Sequence, residues 1–180
     1  MKKFITSVLL LFTIISFAQD QPTKEQTLKW IMGKIGKYGF AVDVPLVDNG
    51  KTWYYSYEYF SHPVRNFHCQ SPKNGGVDTL VIFGYMSACI PGCGIKDIKA
   101  VKDYELGKIF TSEITNIKFD EKRPEIRLYS QRKIDGLHDE TRTSYEFPLI
   151  LNWDMEPNLK ERMIKALQAL IKFNSSKEPY

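Results

Sequence analysis

Residues 40 to 151 repeat one pattern, in which short runs of β-prone residues are separated by turn-forming Gly, Pro, Asn and Asp. In the run at 51–60 aromatic residues occupy alternate positions, so that they would share one face of a strand. These residues are Trp53, Tyr55, Tyr57 and Tyr59. Six further runs lie at 40–47, 79–88, 95–102, 109–119, 125–133 and 141–151. The pattern predicts about seven strands, with a long connection at 61–78.

Near both ends of the chain, apolar residues recur at the three- and four-residue spacing of a helix, not at the two-residue spacing of a strand. Thr23 and Gln26 have the spacing of a capping box, and the apolar residues after them predict a helix at 24–35. The C-terminal helix has Pro157 in its first turn and an apolar stripe along one side. The stripe consists of Leu159, Met163, Ala166, Leu167, Leu170 and Ile171. We therefore expect an α+β fold, with an N-terminal helix, a bent antiparallel sheet and a C-terminal amphipathic helix packed on that sheet.

Residues 1–18 have the pattern of a cleavable secretory signal peptide. Lys2 and Lys3 precede an apolar stretch, and small residues end it at Ala18. The stretch is shorter than a bilayer span, and Gln19 stands where a lipoprotein would carry a cysteine. We expect a single domain at 19–180 that is periplasmic or extracellular and has no membrane span.

Charge and composition argue against nucleic acid as a partner. Cleavage would remove two lysines and no acid, which halves the formal net charge of +4. The remaining lysines and arginines form no basic stripe with interleaved aromatic residues. An aromatic content of 13% instead favours a well-packed, strand-rich domain.

The order of elements resembles that of pleckstrin-homology-like domains, in which a C-terminal helix packs at one end of a bent sheet. The segments GIKDIKAV at 94–101 and LKERMIKALQALIK at 159–172 look like the corresponding strand and helix. With EQTLKWIMGKIGKYG at 25–39, the chain also resembles small exported proteins of unknown function from Bacteroidetes-type bacteria. Lipid-binding members of the fold class present several basic residues on the first hairpin, whereas this turn holds Asp48, Asn49, Gly50 and Lys51. The resemblance therefore implies a fold without phosphoinositide binding.

The three cysteines acquire a specific meaning in an exported protein, because disulfides persist in oxidising compartments. Cys89 and Cys93 flank a Pro-Gly turn, so that they could face each other across a hairpin at a distance that a disulfide accepts. Cys69 could instead pair with either of them. Every single bridge leaves one thiol over.

A metal site is the second interpretation of the same residues. His68, Cys69, Cys89 and Cys93 would supply imidazole and thiolate ligands for zinc or copper. Adjacent His68 and Cys69 would point to opposite faces of a strand, which counts against a shared site. Apart from this alternative, no cofactor is expected.

A binding surface is predicted on the second strand and the segment after it. Tyr54, Glu58 and Phe60 alternate with the inward-facing aromatic residues, and Tyr offers both stacking area and a hydroxyl. His62 and Arg65 follow in the irregular segment, where binding residues concentrate. A peptide, a glycan or another cell-envelope partner would fit such a surface.

A catalytic set is not evident in the sequence. No serine stands in a G-x-S-x-G context. The carboxylates of Asp43, Asp48, Glu121 and Glu125 are interpreted as solvated turn charges. We expect an exported non-catalytic binding or structural domain, with the metal or thiol site as the alternative and an enzyme using His62 or His68 as acid or base as a third possibility.

Overall fold

A computed structural model describes residues 21–48, 51–64, 76–89, 101–119, 123–134 and 145–176. In these ranges the chain forms an N-terminal helix, seven strands and a C-terminal helix. The helices are α1 (Lys24–Tyr38) and α2 (Leu159–Ser175). The predicted α+β class, the strand number and the helix at each end are therefore confirmed. Within the described ranges no helix has the length and apolar character needed to cross a membrane.

The first four strands form an antiparallel sheet in which each strand pairs with the next along the chain. They are β1 (Phe40–Asp48), β2 (Lys51–Val64), β3 (Thr79–Cys89) and β4 (Val101–Phe110). The last three strands form a second antiparallel sheet in the same consecutive order. They are β5 (Ile114–Phe119), β6 (Ile126–Ser130) and β7 (Glu146–Leu149).

The prediction of one bent sheet is wrong, because the run at 109–119 is not one strand. A 3-10 turn at Thr111–Glu113 separates β4 from β5. The buried Thr111 hydroxyl accepts a hydrogen bond from Leu80 N at 2.8 Å, and Ser112 N donates to Thr79 Oγ1 at 3.1 Å. These side chains take over the backbone hydrogen bonds of a continuing strand, so the chain leaves the first sheet and begins the second.

Strand boundaries also differ from the sequence pattern elsewhere. Residues 103–108 belong to β4, although the pattern placed a strand at 95–102 and none at 103–108. Residues 95–100 lie outside the described residues. β2 continues to Val64, so the start of the predicted irregular segment is strand, whereas β6 is shorter than the predicted run at 125–133.

The capping box at the start of α1 is confirmed by two reciprocal hydrogen bonds. Thr23 N donates to Gln26 Oε1 at 2.8 Å, and Gln26 N donates to Thr23 Oγ1 at 3.2 Å. The helix runs three residues past its predicted end and stops at Gly39. A Cβ at Gly39 would lie 2.4 Å from the backbone oxygens of both Ile35 and Tyr59, so only glycine fits there.

One hydrophobic core joins the two sheets and both helices. Tyr57 and Tyr59 of β2 are buried in it, while Trp53 and Tyr55 on the same face are partly buried. The sheets meet where Gly84 of β3 leaves room for the ring of Phe147, because a Cβ at Gly84 would lie 2.9 Å from that ring. The residues of α2 that are buried in this core are Leu159, Met163, Leu167 and Leu170.

Candidate functional site

The outer face of the first sheet carries aromatic rings from three neighbouring strands. Directly opposed residues of an antiparallel pair lie on the same face, so the register shows which side chains share it. Phe60 of β2 lies opposite Phe83 of β3. Glu58, two residues before Phe60 on β2, lies opposite Phe40 of β1 on one side and opposite Tyr85 of β3 on the other.

We call this surface the aromatic face. It consists of Phe40, Tyr54, Glu58, Phe60, His62, Phe83, Tyr85, Glu105 and Lys108. Glu105 and Lys108 join it from β4, where they lie opposite Tyr85 and Phe83. Two carboxylates, one ammonium group and an imidazole are thus interspersed with five aromatic rings.

Two pairs of rings on the aromatic face are in contact, and three of these four rings are exposed to solvent. The rings of Phe60 and Tyr85 meet edge to face at a centroid distance of 6.4 Å, yet Phe60 is 45% and Tyr85 41% exposed. His62 and Phe83 meet in the same geometry at 5.8 Å. Edge-to-face contacts are a favoured arrangement of aromatic pairs and so favour the observed orientation of these four rings. Several exposed large apolar side chains on one surface are typical of an interaction site.

The structure places four of the five predicted binding residues on this surface. Tyr54, Glu58, Phe60 and His62 are all exposed at alternate or near-alternate positions of β2. None of them is buried against α2. Arg65, the fifth, lies outside the described residues.

The predicted sulfur and metal sites fall almost entirely on residues that are not described. His68, Cys69 and Cys93 lie outside the described residues. Cys89 ends β3 and is paired in register with Tyr54, but its side chain is also outside the description. Among the side chains that are described, no three His, Cys, Asp or Glu residues are grouped so as to hold a metal ion. The disulfide and the metal site therefore stay predictions.

Glu156 forms the most highly connected polar cluster between the two helices. Its carboxylate accepts hydrogen bonds from Lys34 Nζ at 2.5 and 2.7 Å and from the Tyr38 hydroxyl at 2.7 Å, both from α1. Arg162 Nη1 of α2 donates at 3.2 Å to Oε2 of Glu156, which also accepts from Lys34. The hydrogen bonds from Lys34 and Tyr38 lower the pKa of Glu156 from its ordinary 4.5 to about 2. The cluster therefore joins the two helices.

A second polar cluster surrounds Glu125 on the outer side of the second sheet. Only 3% of Glu125 is exposed, and its Oε1 lies 2.7 Å from Arg127 Nε and 3.5 Å from Arg123 Nη1. The hydrogen bond with Glu125 raises the pKa of Arg127 above its ordinary value. The interpretation of Glu125 as a solvated turn charge is therefore wrong, because two guanidinium groups bind it in a buried position. Asp43 is exposed, whereas Glu121 and the Asp48 side chain are outside the description.

The Glu125 cluster was not predicted, although the sequence contains a signal for it. Arg123, Glu125 and Arg127 follow one another at every second position. On a strand such residues project to the same side, where opposite charges can pair. The alternation of charges in RPEIR could thus have predicted the cluster, although not its burial.

Comparison with known proteins adds no assignment. No protein family, no curated protein and no solved structure matches this chain. The aromatic face and the Glu125 cluster are accordingly the features from which we infer function.

Proposed function

We propose that this chain is a non-catalytic binding module whose aromatic face binds a glycan. The observation that carries the proposal is the exposed pair of Phe60 and Tyr85, held edge to face at 6.4 Å beside the carboxylate of Glu58. The apolar C–H faces of a sugar ring can stack on such aromatic side chains. Its hydroxyl groups can at the same time donate to the carboxylates of Glu58 and Glu105.

The spacing of groups on the aromatic face supports an extended carbohydrate ligand. Alternate residues of a strand lie about 6.6 Å apart, and neighbouring strands about 4.8 Å apart. Rings and hydrogen-bonding groups therefore alternate over distances comparable to single sugar units. An apolar protein partner would require a surface less interrupted by charge, since interface cores are depleted of charged residues.

Peptide binding by strand addition is less favoured at the β1 edge. The register of β1 shifts between Ala41 and Val44, and Asp43 there adopts a positive φ of 57°. Pro45 on the same strand has no N–H to donate. A bulge and a proline both hinder pairing with a further strand. These features favour ligand binding on the face of the sheet over binding at this edge.

An exported location and a pleckstrin-homology-like relationship belong to the same proposal. Export rests on the signal-peptide pattern of 1–18, and would bring the mature chain into contact with cell-envelope polysaccharide. The fold relationship is supported by the order of elements, in which seven strands precede one C-terminal helix.

Binding to oligosaccharides tests the proposal directly. Purified protein is titrated calorimetrically with oligosaccharides of glucose, xylose, mannose and N-acetylglucosamine. We expect at least one series to bind, and we expect Phe60→Ala or Tyr85→Ala to weaken it about tenfold, which corresponds to about 1.4 kcal/mol per ring.

Tyr145→Ala is the matched control, because Tyr145 is a tyrosine of similar exposure, 48%, that lies directly before β7 in the second sheet. It should leave the affinity unchanged. If no series binds, or if all three variants bind equally well, the aromatic face is not a glycan site. Release of a shorter sugar during the titration would contradict the non-catalytic part of the proposal.

A further inference from the structure

Two cations lie directly opposite each other on the second sheet. Lys118 of β5 is paired in register with Arg127 of β6, and Lys118 is exposed. Like charges in directly opposed positions destabilise a sheet. Such a pair is favourable where an anion lies between the two charges.

A third cation is directed at the same place. Lys118, Arg123, Glu125 and Arg127 together line a cavity of about 210 Å³. Three positive groups therefore face one carboxylate. Glu146, which also contacts Arg127, lines a second and much smaller cavity that shares Glu125 and Arg127 with the first. The described lining of the larger cavity carries a net positive charge.

The basic groups are held in position by contacts within the protein. Arg127 donates from Nε to Glu125 and from Nη1 to Glu146, at 2.7 and 3.3 Å. Because both carboxylates contact it, its guanidinium has a defined orientation. Preorganised guanidinium groups lose less side-chain entropy when they bind an oxyanion.

The segment that presents Arg123 is also fixed. Lys160 Nζ donates to the backbone oxygen of Arg123 at 2.8 Å, and Trp153 Nε1 donates to that of Pro124 at 2.6 Å. Both donors belong to the C-terminal part of the chain, at or just before α2. The cavity is thus built from β5, β6 and residues 123–125 before β6, and contacts from the C-terminal part of the chain hold residues 123 and 124 in place.

We propose that this cavity binds a tetrahedral oxyanion, namely phosphate or a phosphate monoester. Arg and Lys side chains bind phosphate oxygens through charge-assisted hydrogen bonds, and guanidinium groups can do so in a bidentate manner. Glu125 acts as a positioning residue, because it accepts a hydrogen bond from Arg127 Nε at 2.7 Å and so orients that guanidinium. The site lies on the second sheet and does not depend on glycan binding by the aromatic face.

The experiment is a ¹H–¹⁵N NMR titration of the complete folded chain with inorganic phosphate, at constant ionic strength set by chloride. We expect saturable shifts of the Arg123 and Arg127 Nε–H signals and of the Lys118 amide. Glucose 6-phosphate is titrated in parallel to represent a monoester. Binding of either compound with these shifts supports the proposal, and stronger binding of glucose 6-phosphate identifies the monoester as the preferred form.

Variants separate a built site from general electrostatic attraction. The double variant Lys118→Gln/Arg123→Gln should raise the dissociation constant for phosphate at least tenfold. The control variant Lys165→Gln/Lys172→Gln removes the same charge from exposed positions of α2. Its dissociation constant should stay within twofold of that of the unmodified protein. A single Lys118→Gln change provides the test if the double variant does not fold.

Equal weakening by both double variants would overturn the proposal, and so would the absence of saturable shifts. Binding only to vesicles of phosphatidylcholine and phosphatidic acid, with no response to either soluble phosphate, would also overturn it.

Discussion

At the scale of single residues, Glu156 shows how one side chain can connect two helices. Its depressed pKa means that the folded chain holds the carboxylate in its charged form more strongly than the unfolded chain does. The resulting stabilisation is present above pH 4.5 and is lost as the pH falls through about 2. We expect thermal unfolding midpoints to fall across this window.

The variant Glu156→Gln should have a lower midpoint at neutral pH and a flatter pH dependence across the same window. Asp154→Asn removes an exposed carboxylate two positions away and serves as the control. Identical pH profiles for the Glu156→Gln variant and the unmodified protein would contradict this account of the cluster.

Two glycines close in sequence should respond oppositely to the same substitution. A Cβ at Gly33, within α1, meets nothing within 4 Å, so Gly33→Ala should stabilise the protein by roughly 0.5–1 kcal/mol through helix propensity. At Gly39 the added Cβ would contact backbone oxygens at 2.4 Å, which cannot move independently of α1 and β2. Gly39→Ala should therefore destabilise it by about 2 kcal/mol or more. Urea unfolding measures the free energy of unfolding of both variants. A change of the same sign in both would contradict the predicted difference in packing.

At the scale of elements, Thr111 determines where the first sheet ends. Its buried hydroxyl accepts from Leu80 N and lies 3.0 Å from the Thr79 hydroxyl. Thr111→Val preserves the shape but leaves these buried groups without their partner, so we expect a loss of about 1–3 kcal/mol in unfolding free energy. Thr52→Val changes an exposed position of β2 and should cost far less. Comparable costs for the two variants, measured by urea unfolding, would show that Thr111 has no special role.

Sequence patterns predicted elements well where the signal was local. The capping box of Thr23 and Gln26 and the apolar stripe of α2 depend on residues three or four positions apart, which the sequence displays directly. The break at Thr111 depends on a hydrogen bond to Leu80, 31 positions away, and no local pattern reports it. Strand continuity was therefore predicted where the structure has a turn.

The candidate site was predictable to the same extent. Alternation along β2 was enough to place Tyr54, Glu58 and Phe60 on one face. The contributions of Tyr85 and Phe83 required the register of β3 against β2, which the sequence does not specify. The cavity lined by Lys118, Arg123, Glu125 and Arg127, here called the cation cavity, was not predicted. The burial of Glu125 depends on packing between elements, which its neighbours in the chain do not reveal.

At the scale of the whole molecule, the core and the proposed sites occupy opposite sides of the same sheets. The inner faces bury Tyr57, Phe147 and the apolar side of α2. The outer face of the first sheet carries the aromatic rings, and the outer side of the second carries the cation cavity. Because each site is built on strands fixed by the shared core, neither requires a change of fold to bind its ligand.

Glycan binding by the aromatic face is the function that we propose for this chain. Its most direct test is an NMR titration of the complete chain with the tightest-binding oligosaccharide, following the aromatic ring signals. We expect the ring signals of Phe60, Phe83 and Tyr85 to shift together and to saturate, and the ring signals of Tyr145 to stay unchanged. Shifts confined to residues of β5, β6 and β7, with the rings of the aromatic face unaffected, would contradict it.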